Sequence, residues 1–338
     1  MKPIFIIFND AHLKAGNEEA TIHSVRMMVD YAILNNIKTI VFAGDLFHSR
    51  SNQKESVLQA CDKIFEIIYE AGMLFYVFPG NHDKTSYFNY TSFLDVYRFH
   101  PGVRFTDRLL NVNIEGVSVT LLPFFDDSML VPMIEEAEGS DILISHFEMK
   151  GSSHLGKVSE KGNITRRTLK KWKKTYLGHY HNTHEITENI VHLPSLRQQD
   201  FGEDSNKGFS VIYKDLSYEI IKGSFVEFKK ITIDVDTLTS IEIKQLIKDH
   251  SSSKDTIRFE LVGEESKLKA LNKEQFKGTG IDVKVKYEKK FQESEIVAPK
   301  LIQKFDLGQV VLTFKSFCED KGYNHEIGFK YLNNFLNK

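Results

Sequence analysis

The chain has 338 residues, of which 41% are hydrophobic and 27% are charged, so it is long enough for about two domains and too apolar for a disordered protein. Its 44 Lys and Arg residues nearly balance 46 Asp and Glu residues, and the net charge of −2 excludes a histone-like polycation that binds nucleic acid by bulk charge. The chain also has 13 His residues, and neutral imidazole is the commonest metal ligand among side chains.

The first half of the chain alternates short apolar runs with helical patterns. Six runs are rich in β-branched and aromatic residues and are continuous rather than alternating, as expected for strands buried on both faces. These predicted strands are residues 4–8, 39–43, 74–78, 117–122, 142–145 and 175–177. Apolar residues recur at helical spacing in residues 27–34 and 53–72, whereas no comparable helix is expected between residues 117 and 238. The alternation predicts an α/β core.

The composition changes near Gly223, which suggests a second domain in residues 226–290. We predict three strands and one polar helix there, at residues 226–235, 256–262, 280–287 and 240–250. Residues 291–298 are polar and are predicted to be a linker. Residues 299–338 carry two apolar stripes at helical spacing and are predicted to be helical. The first predicted domain is therefore residues 1–225.

The cysteine count and the apolar runs bear on the cellular compartment. Cys61 and Cys318 lie far apart, whereas secreted disulfide scaffolds are small and dense in Cys, so a reducing compartment is favoured. The run at residues 4–8 is shorter than the core of a signal peptide, and no later run reaches the roughly 20 apolar residues of a membrane span. We expect a soluble cytoplasmic protein without a membrane partner.

Polar clusters that contain Asp, Asn and His but no Cys follow five of the predicted strands. The clusters are Asn9-Asp10-Ala11-His12, Gly44-Asp45-Leu46-Phe47-His48, Gly80-Asn81-His82-Asp83, Ser145-His146 and Gly178-His179-Tyr180-His181. Ligands of open α/β sheets bind outside the carboxyl ends of the strands, so we expect the clusters to converge. Asp10 and His12 are two residues apart, as are His179 and His181, and an extended chain would project each pair toward one side.

The pooled side chains of the five clusters indicate a metal site. Mixed oxygen and imidazole donors suit Mn, Fe, Zn or Co better than a thiolate zinc site or an all-oxygen calcium site. Seven such groups exceed the needs of one ion and suit two ions about 3.5–4 Å apart that share a carboxylate, as in metal-assisted hydrolysis of phosphate esters. Each cluster alone has a structural interpretation, since a single His near a strand end is more often core and Gly-Asn favours a turn. The ordered set of five favours the metal site.

The motifs FNDAHL, AGDLFHSR, VFPGNHD, LISHFE and YLGHYH resemble those of the calcineurin-like metallophosphoesterases. Within that superfamily the chain most resembles the SbcD-type (meiotic recombination eleven) nucleases, on the strength of GDLFHS and of RQQDFGEDSNKGFSVI at residues 197–212. The similarity covers about residues 1–225. It implies an α/β fold, α+β overall, with a β-sandwich flanked by helices, a DNA-capping α+β domain at residues 226–290 and C-terminal helices.

The resemblance also implies two divalent metal ions, with Mn²⁺ expected and Mg²⁺, Fe²⁺ or Zn²⁺ as alternatives. One ion would be held by Asp10, His12, Asp45 and His181. The other ion would share the bridging carboxylate and would be held by Asp45, Asn81, His146 and His179.

Two further histidines are implied as catalytic residues. His82 would assist the transition state or the leaving oxygen and would not be a metal ligand. His48 matches a family histidine near the scissile phosphate, with a histidine of a surface loop as the alternative. Asp83 would orient a neighbour or cap the next helix.

The activity implied by the resemblance is that of a DNA nuclease, acting as a 3′–5′ exonuclease on duplex ends and as an endonuclease on single strands in DNA repair, recombination and replication. Its partner would be an SMC-like ABC ATPase of the SbcC type, bound through residues 299–338. The short chain resembles a compact phage-type version, which would act in the cytoplasm of a bacterium or a phage-infected cell. The alternatives are a phosphatase or cyclic-nucleotide phosphodiesterase on the same scaffold, and an inactive interaction scaffold.

Two stretches keep open interpretations. Residues 157–174 are rich in Lys and Arg, which suits either a track for the DNA backbone or a solvated helix face. Residues 87–99 carry Tyr90, Phe93, Leu94 and Tyr97 at helical spacing, which suits either a core or the seam of a homodimer as in the family.

Overall fold

The computed structural model describes residues 1–154, 157–158, 162–223, 225–271, 273–287 and residue 315. The predicted linker at residues 291–298 and, apart from residue 315, the predicted helices at residues 299–338 lie outside the described residues. Among the described residues, no helix is both long enough and apolar enough to cross a membrane.

The described chain contains seventeen strands and five α-helices. The strands are β1 (Pro3–Phe8), β2 (Thr39–Ala43), β3 (Leu74–Phe78), β4 (Val103–Phe105), β5 (Leu110–Ile114), β6 (Val117–Leu122), β7 (Ile142–His146), β8 (Ser153–His154), β9 (Lys157–Val158), β10 (Lys174–Gly178), β11 (His184–Thr187), β12 (Ile190–His192), β13 (Gly208–Tyr213), β14 (Tyr218–Lys222), β15 (Phe228–Asp234), β16 (Thr256–Gly263) and β17 (Asp282–Tyr287). The helices are α1 (Glu18–Leu34), α2 (Glu55–Glu70), α3 (Asp127–Glu136), α4 (Ser240–His250) and α5 (Glu265–Ala270).

Two six-stranded sheets form the larger part of the described structure. The first has the order β14-β13-β1-β2-β3-β4, in which β1 to β4 are parallel and β13 pairs antiparallel with β1. The second has the order β11-β12-β10-β7-β6-β5, in which β6, β7, β10 and β12 are parallel. The carboxyl ends of the parallel strands therefore supply the loops of a ligand site.

The sheets pack face to face and are covered by helices on their outer faces. In β1, Ile6 and Phe8 contact the core shared with α1 and α2, whereas Phe5 and Ile7 point into the core between the sheets. A third core lies between the second sheet and α3. Strands covered on both faces need apolar residues at every position, which explains the continuous runs in the sequence. The α/β prediction of a sandwich flanked by helices is confirmed.

Helix α3 was not expected from the sequence, which predicts no helix between residues 117 and 238. Its apolar stripe is short, because only Leu130 and Ile134 are buried, and it contains Pro132. Asp126 caps its N-terminus by accepting a hydrogen bond from the main-chain N–H of Ser128. Weak periodicity and an internal proline conceal such a helix from sequence patterns.

A separate three-stranded parallel sheet follows residue 225, with the order β15-β16-β17. We name β15 to β17 with α4 and α5 the small sheet unit. Its own core includes Ile233, Ile243, Phe259 and Leu261. The predicted strands and the predicted helix of this region are present, with a capping box of Thr239 and Glu242 at the start of α4. The division of the chain into domains stays a prediction.

Candidate active site

The polar clusters converge at the carboxyl ends of five strands, namely β1, β2 and β3 of the first sheet and β7 and β10 of the second. Their side chains meet around a cavity of about 330 Å³ whose lining includes His12, Asp45, Asn81, His179 and His181. Asp10 and His146 lie beneath them and are fully buried. The structure thus brings all seven predicted metal ligands together.

The backbone of these loops is not extended, so the predicted reason for the pairing of neighbouring ligands is wrong. Asp10, His12, Asp45 and His179 have φ angles of 51°, 44°, 61° and 90°. This left-handed conformation costs of the order of 1–3 kcal/mol for a residue with a side chain. The tight turns, rather than strand alternation, aim the ligands into one space, and their strain is typical of functional sites.

Asp83 holds two of the loops together. Its buried carboxylate accepts hydrogen bonds from the main-chain N–H groups of Asp45 at 2.8 Å, Phe47 at 3.0 Å and Gly80 at 2.9 Å. A Cβ atom on Gly80 would lie 2.2 Å from Oδ1 of Asp45, so only glycine allows this approach. Asp83 therefore orients a neighbour, as one of its two predicted roles required.

One oxygen of Asp10 is satisfied and the other is not. Oδ2 accepts hydrogen bonds from Asn9 Nδ2 at 2.6 Å and from the main-chain N–H of His179 at 3.0 Å. Oδ1 is buried and has no hydrogen-bond partner among the described residues. It lies 3.6 Å from Nε2 of His12 and 3.7 Å from Nε2 of His181. A buried carboxylate oxygen that faces imidazole nitrogens in this way fits a bound cation.

His12 and His181 meet through the same ring atom, with their Nε2 atoms 3.0 Å apart. His181 donates from Nδ1 to Oε1 of Glu203 at 2.5 Å, which leaves Nε2 as an acceptor in the neutral ring. Such a carboxylate–histidine pair fixes the ring orientation of metal-binding histidines. Sequence analysis missed Glu203, although it lies in the DFGE segment that carries the family resemblance.

The second group of donors surrounds His146. Its Nδ1 donates to the carbonyl of Ala43 at 2.9 Å, so Nε2 faces Oδ2 of Asp45 at 3.2 Å and Oδ1 of Asn81 at 3.1 Å. The same Asn81 oxygen lies 3.0 Å from Nδ1 of His179. Oδ2 of Asp45 lies 3.8 Å from Nε2 of His12. Asp45 is thus placed between the two groups of donors, as its predicted bridging role requires.

The electrostatic field of the site favours a cation. Burial alone would lower the pKa of His146, but the carboxylates of Asp45 and Asp10 raise it to about 9. Burial lowers the pKa of His179 to about 4, so that ring is neutral at pH 7. Within the part of the chain that the structure describes, three groups of side chains have donor atoms close enough to hold a metal ion, and one of these groups includes His82. Carboxylate and amide oxygens together with imidazole nitrogens fit divalent metal ions.

His82 is held by hydrogen bonds on both ring nitrogens. Nδ1 donates to the carbonyl of His48 at 2.7 Å, and Nε2 accepts from a guanidinium nitrogen of Arg50 at 2.8 Å. Burial lowers the pKa of His82, and the nearby carboxylate of Asp45 opposes this shift. The ring is therefore neutral at pH 7 with its proton on Nδ1. Its predicted role as a catalytic group rather than a ligand stays a prediction.

His48 and Arg50 lie at the rim of the cavity. The ring centroid of His48 is 5.7 Å from that of His12 and 6.1 Å from that of His82. Burial and then the charge of Lys14 lower its pKa to about 4. Arg50, which sequence analysis missed, also lines a neighbouring cavity of about 380 Å³ and donates to the hydroxyl of Tyr87 at 2.6 Å.

Comparison with known proteins identifies the family. The family profile described as calcineurin-like phosphoesterase matches residues 4–221, well over half of the chain. The chain belongs to the calcineurin-like phosphoesterase family. Members of this family use divalent metals and hydrolyse phosphoesters, in agreement with the donor groups found here.

Two curated relatives match parts of the chain. Exonuclease subunit 1 of Enterobacteria phage T4 is 21% identical over 193 residues, which is 56% of this chain and 56% of the phage protein. The uncharacterized metallophosphoesterase YhaO of Bacillus subtilis (strain 168) is 39% identical over 66 residues, which is 20% of this chain and 16% of that protein. The match therefore spans little more than half of the phage protein and a sixth of the Bacillus protein.

The chain is also similar to the solved structure of a protein of unknown function from Aquifex aeolicus. It shares 16% sequence identity, with 53% of this chain and 79% of the other chain covered and a TM-score of 0.25. The family assignment therefore rests on the profile match alone.

Proposed function

We propose that this metallophosphoesterase is a two-metal DNA nuclease of the SbcD type. The observation that carries the proposal is the convergence of seven donor side chains at the carboxyl ends of five strands, with Asp45 between two donor groups. The similarity to an exonuclease subunit of phage T4 supports DNA as the substrate. We further propose 3′–5′ exonuclease activity on duplex ends and endonuclease activity on single strands, in repair, recombination and replication of DNA.

Mn²⁺ is the proposed metal. One ion would be held by Asp10, His12, Asp45 and His181. The other would be held by Asp45, Asn81, His146 and His179. When bound, two such ions neutralise charge on a phosphate and lower the pKa of a bound water. The protein contributes a fixed ring orientation at His146 and His181, because each donates its Nδ1 proton to an oxygen of the protein.

His82 and Arg50 would act on the phosphodiester. In the neutral ring Nε2 accepts from Arg50, so His82 can give a proton to a leaving oxygen only when both ring nitrogens are protonated and the bond to Arg50 is broken. The guanidinium of Arg50 would then be free to contact a phosphate oxygen. His48 would hold His82 through its carbonyl, which accepts from Nδ1.

Part of the basic stretch has a structural role. Lys171 donates to three main-chain carbonyls at the end of α3, those of Ile134, Glu135 and Ala137. Lys173 pairs with Asp141, and Lys174 donates to the carbonyl of Glu188. Among the described side chains of this stretch, the proposed DNA track would use the exposed Arg166, Arg167 and Lys170, and Lys173 is exposed beside Asp141. The side chains of Lys157 and Lys161 lie outside the described residues. Residues 166–171 form turns and residue 172 lies in a bend, so this part of the stretch is not the helix face that the alternative interpretation assumed.

The proposed homodimer would use the exposed part of the aromatic stretch. Leu94 is buried, and Tyr97 stacks on Phe65 with ring centroids 4.4 Å apart, so these residues belong to the core. Val96 and Phe99 are 74% and 90% exposed. The proposed ATPase partner of the SbcC type would bind through residues 299–338, and a pull-down that is unchanged when these residues are deleted would contradict that part of the proposal.

The nuclease proposal is tested by incubating the purified chain with labelled duplex DNA and Mn²⁺, with and without EDTA. We expect cleavage that requires the metal and that falls by about 10²-fold or more in His82→Ala, because a group that transfers a proton contributes about 10²–10⁴-fold. His23→Ala, which changes an exposed histidine of α1, is the matched control and should cut at the wild-type rate.

Two results would reject the assignment: no metal-dependent cleavage by the wild type, or cleavage by His82→Ala at the wild-type rate. Hydrolysis of p-nitrophenyl phosphate or of a cyclic nucleotide without any action on DNA would favour the phosphatase or phosphodiesterase alternative.

A further inference from the structure

The segment between β12 and β13 contacts the candidate metal site on one side. We name residues 197–203 the 197–203 loop. The side chain of Glu203 is 2% exposed, and it accepts a hydrogen bond from His181 Nδ1 at 2.5 Å and from the main-chain N–H of Gln199 at 3.0 Å. Gln199 Nε2 donates to the carbonyl of Asp10 at 3.3 Å. The loop therefore contacts His181 and Asp10, two members of the first donor group, which we define as Asp10, His12, Asp45 and His181.

The same loop contacts the small sheet unit on its other side. The buried amide of Gln198 accepts from the main-chain N–H of Phe228 at 2.8 Å and donates to the carbonyl of Phe228 at 3.3 Å and to that of Glu203 at 2.9 Å. Phe201 packs edge-to-face on the ring of Phe228, with ring centroids 5.0 Å apart. The guanidinium of Arg258 lies over the ring of Phe201, 3.9 Å from the ring centroid. Phe228 begins β15 and Arg258 lies in β16.

We propose that Glu203 is a positioning residue for His181 and that, through the 197–203 loop, the position of Glu203 depends on the docking of the small sheet unit. Gln198 links the small sheet unit to Glu203, because its side-chain amide binds both the first strand of that unit and the backbone of Glu203. A loss of this amide frees Glu203 to move, and the Nε2 lone pair of His181 is then no longer fixed toward Asp10. The inference rests on the metal centre of the proposed function.

Among the described residues, the central histidine of the second donor group has no such connection. His146 donates from Nδ1 to the carbonyl of Ala43, at the end of β2 and inside the core between the sheets. A change in the docking of the small sheet unit should therefore weaken the binding of one metal ion and leave the binding of the other unchanged. By linkage, binding of that one ion should in turn favour the docked placement.

The test is a titration of the full, EDTA-treated chain with MnCl₂. The concentration of free Mn²⁺ is measured at each step by electron paramagnetic resonance. We expect Glu203→Gln to weaken the binding of one ion by about 10- to 100-fold. This is the range found when the hydrogen-bond partner of a metal-ligating histidine is removed. Gln198→Ala should weaken the same ion by more than threefold and leave the other within twofold. Gln245→Ala, which removes an exposed glutamine of α4, is the matched control and should change neither.

The double variant Gln198→Ala with Glu203→Gln should bind this ion no more weakly than Glu203→Gln alone, because both changes act on one connection. If thermal unfolding shows that Gln198→Ala does not fold, Arg258→Gln is tested in its place, because the side chain of Arg258 is partly exposed. This variant should weaken the binding of the same ion by more than twofold.

Two tight sites that are insensitive to Gln198 and Arg258, or equal weakening of both ions, would overturn the inference. An absence of Mn²⁺ binding to the wild type would instead overturn the metal centre on which the proposed function depends.

Discussion

The two ends of the central strands use polar side chains in opposite ways. At the amino ends of β6 and β7, Asp141 accepts hydrogen bonds from the main-chain N–H of Ser118 at 2.9 Å, from its hydroxyl at 2.6 Å and from Lys173 Nζ at 2.6 Å. At the carboxyl ends, Oδ1 of Asp10 has no partner among the described residues, and four proposed ligands have left-handed backbone. Polar groups at the amino ends of the strands therefore stabilise the fold. Those at the carboxyl ends are available to bind a ligand, and the left-handed backbone that positions them is strained.

The substitution with the largest expected effect is Asp45→Asn, at the carboxyl ends of the strands. We expect metal-dependent phosphodiesterase activity to fall by at least about 10²–10³-fold, because one negative charge between both donor groups is lost while the acceptor for the N–H of His82 is kept. Circular dichroism should show an unchanged fold. Activity within tenfold of the wild type would show that Asp45 does not join the two donor groups.

Lys171→Met tests the stabilising role at the amino end of β10. The ammonium group donates to three carbonyls at the end of α3, so its loss should reduce the free energy of unfolding by about 2 kcal/mol. Activity per folded molecule should not change. Urea unfolding measures the first quantity, and a change below 0.5 kcal/mol, about the limit for neutral surface substitutions, would contradict the assignment.

Asp141→Asn at the amino ends of β6 and β7 should cost about 1 kcal/mol at pH 7. The hydrogen bond from Lys173, and then those from Ser118, lower the pKa of Asp141 below its ordinary value. The stabilisation is therefore present above the unfolded carboxyl pKa of about 3.9 and is lost as the pH falls through the lowered pKa of the folded state. Urea unfolding at pH 7 and at pH 3 should give a smaller difference between variant and wild type at pH 3. An equal difference at both values would contradict this account.

Lys170→Met is the matched change to Lys171→Met and should have the smallest effect. Its side chain is exposed, so stability should change by less than about 0.5 kcal/mol. If residues 166–170 form part of a DNA track, the slope of log affinity against log salt concentration should fall by about one unit. A lower slope in Lys171→Met but not in Lys170→Met would reverse the roles assigned to these neighbours.

The strands and the ligand set could be predicted from the sequence because their signals are local. Each buried strand is a continuous apolar run, and each ligand follows such a run within a few residues. The predicted strand at residues 39–43 agrees with the structure at both ends. Helix α3 could not be predicted because its buried stripe has only two residues and a proline interrupts its pattern.

The contacts that orient the ligands could not be predicted, because they join residues far apart in sequence. Glu203 lies 22 positions from His181, and Arg50 lies 32 positions from His82. The left-handed backbone of Asp10 and His12 was not predicted either, because Asp and His are enriched in that conformation but only a few per cent of non-glycine residues adopt it. Only the DFGE segment, as part of the family resemblance, pointed to the position of Glu203.

The central claim is that the polar atoms at the carboxyl ends form a metal centre, and the most direct test counts the bound ions. The chain is freed of metal with EDTA and titrated with MnCl₂ in a calorimeter. We predict two Mn²⁺ ions per wild-type chain, and in Asp45→Asn at least one of them bound about tenfold more weakly or lost. Fewer than one ion per wild-type chain, or binding that is unchanged in Asp45→Asn, would contradict the account.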